Sequence, residues 1–249
     1  MLSRKRFLPL FCTQLLNAFN DNLYKTTMVL FVVYAVYNDE TTEAGFSGLA
    51  SALFILPFFI LSALAGQLAD MRDKAKIIRT VKLCEIGLMM IGAAGLYMAW
   101  QGIMVETVAI PLLLLALFLT GVQSTFLGPI KYAILPQHLK KEEVLAGTGL
   151  VEAGTYIAIL AGTILAGPLA VEHTGWAAIG IIVTACIGYF VSRQVPPAPP
   201  MGEIEKLDVE AGEETNFSWG GPTHAEFAVM RKGDQLQMDP YKVYYYGDG

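Results

Sequence analysis

Apolar residues run along this chain in six long blocks: Phe7 to Tyr37, Phe46 to Leu68, Ile77 to Ala99, Thr107 to Leu127, Ala146 to Val171 and Trp176 to Ser192. A helix needs about 20 residues, with a working range of about 17–25, to cross a hydrocarbon layer about 30 Å thick. The blocks therefore predict six spanning helices. After Arg193 the pattern stops at "QVPPAPPMGEIEKLDVEAGEE", Pro-rich and then acidic, which cannot bury enough apolar surface to fold alone. The expected organisation is a six-span unit over 1–193, a cytoplasmic linker over 194–218 and a tail over 219–249. That tail has no seventh span and no period, and its sequence gives it no functional reading.

The first block breaks its own pattern. "TQLLNAFNDNLYKTTMVL", Thr13 to Leu30, places Asn17, Asn20, Asp21, Asn22 and Lys25 inside the apolar run. At about 100° per residue, Gln14, Asn17, Asp21, Tyr24 and Lys25 share an arc of about 100°, with Thr13 and Asn20 at its edge and Leu15, Phe19, Leu23 and Leu30 opposite. Asp21 lies about 21 Å along the axis from Phe7, near mid-membrane, where a side chain cannot snorkel to water. A charge at that depth costs roughly 2.5–3.5 kcal/mol on insertion scales. One compensation is an Asp21–Lys25 pair four residues apart, gluing the helix to its neighbours. The other is a polar cavity that handles a charged solute, since intramembrane ionisable groups mark pathways.

Charge sorts the short intervals by sign. Arg4, Lys5 and Arg6 precede the first block; Arg72, Lys74, Lys76, Arg79 and Lys82 follow the second; Lys131, Lys140 and Lys141 follow the fourth, and Arg193 the sixth. The alternate intervals hold Asp39, Glu40, Glu43, Glu106 and Glu172 and no lysine or arginine. By the positive-inside bias the N-terminus and the tail are cytoplasmic. Composition agrees with a membrane class: 54% hydrophobic and 16% charged residues, with a mean hydropathy of +0.49. The net charge of -5 comes mainly from residues after 200, so it points to no nucleic-acid partner. Cys12, Cys84 and Cys186 fall in apolar blocks without CxxC spacing and read as core residues rather than a disulfide or metal framework. The chain shows no P-loop, no cofactor motif and no catalytic constellation.

A second feature, "GQLADMRDKAKIIR", Gly66 to Arg79, lies between the second and third blocks. It resembles the loop motif of the major facilitator superfamily, with Gly66, Leu68, Ala69, Asp70 and Lys74 in register. Met71 stands where the family has a base and Asp73 where it has Gly; Asp tolerates a left-handed turn better than most residues. The resemblance implies a conformational latch formed by Gly66, Asp70, Arg72 and Lys74 on the cytoplasmic side. In the fifth block Gly154, Ala158, Gly162, Ala166 and Ala170 recur every fourth residue, a seam for close helix packing. Glu152, shallow in this block, either reaches solvent or joins the polar stripe. Glu85 in the third block has Lys82 one turn away as a partner.

Three segments, "FCTQLLNAFNDNLYK", "GVQSTFLGPIKYAILPQHL" and "GTGLVEAGTYIAILAGTI", together resemble the lysophospholipid transporter branch of that superfamily, including its fusions to an acyltransferase. The resemblance covers roughly residues 7–219. It implies an all-α membrane protein, six spans forming one half of a major facilitator fold with a mostly unstructured cytoplasmic tail. It further implies import of lysophosphatidylethanolamine-like lipid across a bacterial inner membrane by alternating access. On that reading Asp21 meets the ammonium and Lys25 or Lys131 the phosphate, with Asn17, Asn22, Gln14, Tyr24 and Glu152 lining the substrate site. No histidine begins the His-x-x-x-x-Asp signature of the fused enzymes, so the expected protein is not itself an enzyme. The alternatives are a proton-coupled exporter of small molecules and a non-transporting scaffold for a phospholipid acyltransferase. Superfamily members have two six-helix halves around a midplane site. The chain is therefore expected to be a fragment whose stripe is covered by a missing C-terminal half, or to pair with a second copy.

Overall fold

The structure, a computed structural model, describes residues 6–37, 40–200, 229–232 and 235–238, without the side chains of 40–43, 229–232 and 235–238. Arg4, Lys5 and Asp39, which entered the charge pattern, lie outside the described residues, as does most of the expected linker and tail. The helices are α1 (Leu8–Leu30), α2 (Glu40–Met71), α3 (Lys74–Trp100), α4 (Ile110–Ala133), the short α5 (Leu135–His138), α6 (Lys141–Val171) and α7 (Thr174–Ser192). Wider π-type turns extend α1 over Phe31–Tyr37 and lead into α4 over Val105–Ala109.

Among the described residues, five helical stretches are long and apolar enough to cross a membrane: Ala44–Met71, Lys74–Trp100, Val105–Ala133, Lys141–Val171 and Thr174–Ser192. With 23 residues, α1 has the length as well, but the polar residues between Thr13 and Lys25 lower its hydropathy. In the tail, β1 (Val229–Lys232) pairs antiparallel with β2 (Gln235–Met238), Val229 opposite Met238. The signal for this hairpin in the sequence is the Gly233-Asp234 pair, a two-residue turn signature, followed by alternating Gln235, Leu236, Gln237 and Met238, too short a run to register as a period.

Neighbouring helices follow the order α2, α4, α3, α7, α1, α6. The small residues of α6 face α1: Ala158 and Ala166 are buried. A Cβ at Gly162 would lie 2.5 Å from the Phe19 carbonyl oxygen, and one at Gly154 would lie 2.6 Å from the Phe11 ring. The two backbones approach as closely as small-residue seams permit. Two apolar clusters divide the interior. One gathers Leu23, Met28, Met89, Leu96, Leu113 and Leu117, and the other Phe7, Leu10, Ile78, Ile130, Leu139 and Val195.

At the end of the bundle near the second cluster, Asp73 joins α2 to α3. Its backbone is extended, φ -60° and ψ 114°, not left-handed as the loop motif suggested. The cause is a helix cap: Asp73 Oδ1 accepts from the backbone N–H of Ala75 at 2.9 Å and of Lys76 at 3.3 Å. Gly66 faces open space, Asp70 and Arg72 are exposed, and Lys74 is buried. The Pro-rich stretch is not free from its first residue, as its composition alone implies. Val195 and Ala198 are buried. Lys74 N–H donates to the Ala198 carbonyl at 2.9 Å, Ala198 N–H to Asp73 Oδ1 at 3.2 Å, and Arg79 Nη2 to the Val195 carbonyl at 2.6 Å. Proline blocks donation but leaves carbonyls outward, so an extended Pro-rich segment can be held by donors on a neighbouring surface. Residues 195–200 thus form a strap from the α2–α3 turn to α5, where Gln137 Nε2 reaches the Pro199 carbonyl at 3.2 Å.

Candidate functional site

The polar stripe of α1 meets polar side chains of α3 and α4 inside the bundle. Asn17 Nδ2 donates to Asp21 Oδ2 at 2.9 Å, and Ser124 Oγ of α4 donates to the same oxygen at 2.6 Å. Asn20 Nδ2 donates to Glu85 Oε1 at 2.9 Å. Gln123 Nε2 reaches Glu85 Oε2 at 3.2 Å and Asn17 Oδ1 at 3.4 Å. Lys82 Nζ donates to Asn17 Oδ1 at 3.2 Å and forms a direct ion pair with Glu85. Asp21 is 5% exposed, Asn17 7%, and Lys82 and Glu85 both 0%. Three helices thus enclose two carboxylates and one ammonium, bridged by three carboxamides and a hydroxyl.

Lys82 enters this cluster because α3 begins at Lys74, which puts Lys82 two turns inside the helix, about 12 Å along its axis. The charge pattern had grouped it with the loop bases. Its room comes from α7: a Cβ at Gly188 would lie 2.9 Å from Lys82 Cε and 3.1 Å from Nζ. Glycine there leaves the slot the ammonium occupies. The expected partnership of Glu85 with Lys82 holds, and the pair lies at the centre of the network rather than apart from it.

The Asp21–Lys25 pair offered as one compensation is absent among the described residues. Asp21 turns to Asn17 and Ser124, while Lys25 Nζ lies 5.5 Å from the centroid of the Phe54 ring on α2. A cation over an aromatic face at that distance gains electrostatic attraction without a carboxylate. Lys25 is half-buried, on the same helix as the cluster but outside its hydrogen bonds.

Other residues expected in the site are placed elsewhere. Tyr24 is fully buried and donates to the Leu113 carbonyl at 2.8 Å, within the apolar core. Asn22 Nδ2 returns to its own helix, donating to the Ala18 carbonyl at 2.8 Å. Gln14 is buried, its Nε2 without a partner among the described residues. Lys131 of α4 and Glu152 of α6 form a second ion pair at 2.8 Å, with Tyr132 Oη also donating to Glu152. Glu152 therefore neither stands free in solvent nor joins the Asp21 cluster.

Sequence reading missed Gln123 and Ser124 as site members. Their signal was present: "VQST" interrupts the fourth apolar block as the asparagines interrupt the first. Among the described residues no group of three or more His, Cys, Asp or Glu side chains converges for a metal. What the arrangement offers is a mid-bundle acceptor surface around Asp21 and a nearby, uncommitted ammonium on Lys25.

Comparison with known proteins bears on this geometry. A family model described as Major Facilitator Superfamily matches residues 10–223. A relative from Serratia proteamaculans named "Lysophospholipid transporter LplT" is 26% identical over 199 residues, covering 80% of this chain and 45% of the relative. A protein of the same name from Cronobacter sakazakii is 27% identical over 175 residues, covering 70% and 39%. One from Salmonella heidelberg is 25% identical over 185 residues, covering 74% and 40%. The chain spans about two-fifths of the length of the curated relatives it matches.

Proposed function

Because the chain belongs to the major facilitator superfamily, we propose that it forms one six-span half of a secondary transporter for lysophospholipid in a bacterial inner membrane. The sixth span in this reading is α1, which crosses despite its polar residues because side chains of α3 and α4 hydrogen-bond Asn17, Asn20 and Asp21. Supporting the cargo assignment are the relatives named as lysophospholipid transporters. The observation that carries the mechanism is the buried carboxylate of Asp21, which keeps Oδ1 without a partner among the described residues at mid-depth of the bundle. A zwitterionic head group brings an ammonium for that carboxylate and a phosphate for a base, while its acyl chain stays in lipid. Lys25 suits the phosphate better than Lys131, since Lys131 is already neutralised by Glu152.

The facing half comes from a further segment or from a second copy, and alternating access rocks one half against the other. The exposed apolar side chains of α2 and α6, among them Phe59, Ile60, Ile157, Leu160 and Ile164, supply surface for lipid or for that half. The N-terminus and tail are assigned to the cytoplasm.

Binding of radiolabelled lysophosphatidylethanolamine to the purified protein tests the site. Loss of a charge-assisted hydrogen bond of about 1.5–3 kcal/mol predicts about ten- to a hundredfold weaker binding for Asp21→Asn. A smaller loss is expected for Lys25→Ala. If both well-folded variants bind the lipid as the parent does, the assignment is wrong. If a soluble zwitterion competes as well as the lysolipid, the protein is instead an exporter of small solutes.

A further inference from the structure

The cluster around Asp21 has more acceptors than donors. Within it, Asp21 Oδ1, Asn20 Oδ1 and Gln123 Oε1 are buried and without a partner among the described residues. The amide orientations are not arbitrary. Asn20 must turn its Nδ2, and Gln123 its Nε2, toward the Glu85 carboxylate, which only accepts while ionised. Each carboxamide oxygen is therefore left over by the hydrogen bonding itself. Residues carrying these oxygens are 5%, 0% and 5% exposed, so bulk water does not reach them freely.

Charge points the same way. Asp21 and Glu85 contribute two negative charges and Lys82 one positive charge, a net of one negative inside the bundle. Lys25 lies over Phe54 and makes no ion pair with Asp21. Lys131 is paired with Glu152, and Arg6 with Glu143 at the bundle end. No basic side chain among the described residues offsets the remaining charge by direct contact, and an isolated buried carboxylate is costly.

We propose that the Asp21 carboxylate, with the free oxygens of Asn20 and Gln123, forms a binding site for one alkali-metal cation, sodium being the probe. Hard oxygen donors of carboxylate and amide type suit such an ion. The single excess charge selects a monovalent ion, since a divalent one would leave a buried net positive charge beside Lys82. A proton on Asp21 would neutralise the charge but supply one donor for three acceptors. The proposal deepens the transport reading: the ion and the substrate ammonium compete for one carboxylate, so their binding is mutually exclusive.

Thermal unfolding of the purified protein in detergent, without lipid, tests the ion site independently of cargo. At constant pH and ionic strength, replacing N-methylglucamine chloride by NaCl should raise Tm saturably by a few degrees, as expected for a ligand that binds only the folded state. Asp21→Asn should abolish this dependence, and Glu106→Gln, on the exposed α3–α4 connection, should keep it. A sodium-dependent Tm unchanged by Asp21→Asn would overturn the site, as would a parent Tm indifferent to sodium. A Tm that responds to pH through Asp21 but not to sodium would make the occupant a proton and overturn the proposal. The lipid-binding assay can fail while the sodium shift stands, and the reverse, so the two readings are separable.

Discussion

Lys82 and Glu85 neutralise each other in a place where neither is tolerable alone. Removing one partner of a buried ion pair strands the other, at a cost of about 3–5 kcal/mol, whereas replacing both by neutral groups of similar volume is often close to neutral. Lys82→Met should therefore destabilise the protein strongly, and Lys82→Met with Glu85→Gln should recover most of the loss. Unfolding midpoints of the two variants in a denaturing-detergent titration check this. A double variant no more stable than the single one would mean that packing of the lysine stem in the Gly188 slot, not charge, dominates. The pair also shows what a sequence hides at this scale. Lys82 stands among loop bases in the linear order, and only the start of α3 at Lys74 turns it inward. Asp21 and its partner Asn17 were legible because they interrupt a long apolar run on one helix face. Ser124 showed only as a polar break in the fourth block, and its hydrogen bond to Asp21 across 103 residues leaves no periodic trace.

Between elements, the strap over 195–200 joins the α2–α3 turn to α5 mainly through backbone carbonyls, and His138 is its histidine contact. Its Nε2 lies 3.4 Å from the Pro197 carbonyl. Burial, and secondarily the charge of Arg6, hold its pKa below the ordinary 6.5, against opposing contributions from the Pro197 carbonyl and Asp73. A histidine with a depressed folded-state pKa binds more protons when unfolded. Its contribution is present above about pH 6.5 and is lost as pH falls below that value. Tm should accordingly drop between pH 7.5 and 5.5, and His138→Gln, which keeps a donor for the carbonyl without titrating there, should reduce that drop. An identical pH profile in the variant would exclude His138 as the source. Composition alone reads this segment as unattached, since Pro-rich chains make no internal hydrogen bonds. The attachment depends on Asp73, Lys74 and Arg79 being brought beneath it by the turn before α3, a tertiary event that local pattern does not encode.

Across the whole molecule the apolar blocks were legible because crossing hydrocarbon imposes a minimum apolar length, which five helical stretches among the described residues meet, while helix ends were not, since helices continue past the apolar layer. Thus α6 starts at Lys141 rather than near Ala146, its first turn carrying Glu142 and Glu143, where acids favour a helix N-terminus. The same geometry permits a test of orientation. Arg6, Arg72, Lys74, Lys76, Arg79, Lys140, Lys141 and Arg193 flank one end of the bundle, whereas the α3–α4 and α6–α7 connections carry Glu106 and Glu172 and no lysine or arginine. A bias of that kind in short connections sets which end is retained in the cytoplasm. With Cys12, Cys84 and Cys186 replaced by serine, single cysteines at Glu106 and Glu172 should react with a membrane-impermeant maleimide in intact spheroplasts. Cysteines at Asp70 and Lys140 should react only after permeabilisation. The reverse pattern would place the basic end outside and invert the proposed topology. Labelling of both sets in intact cells would mean that the bundle inserts in two orientations, so that the charge asymmetry does not decide its direction.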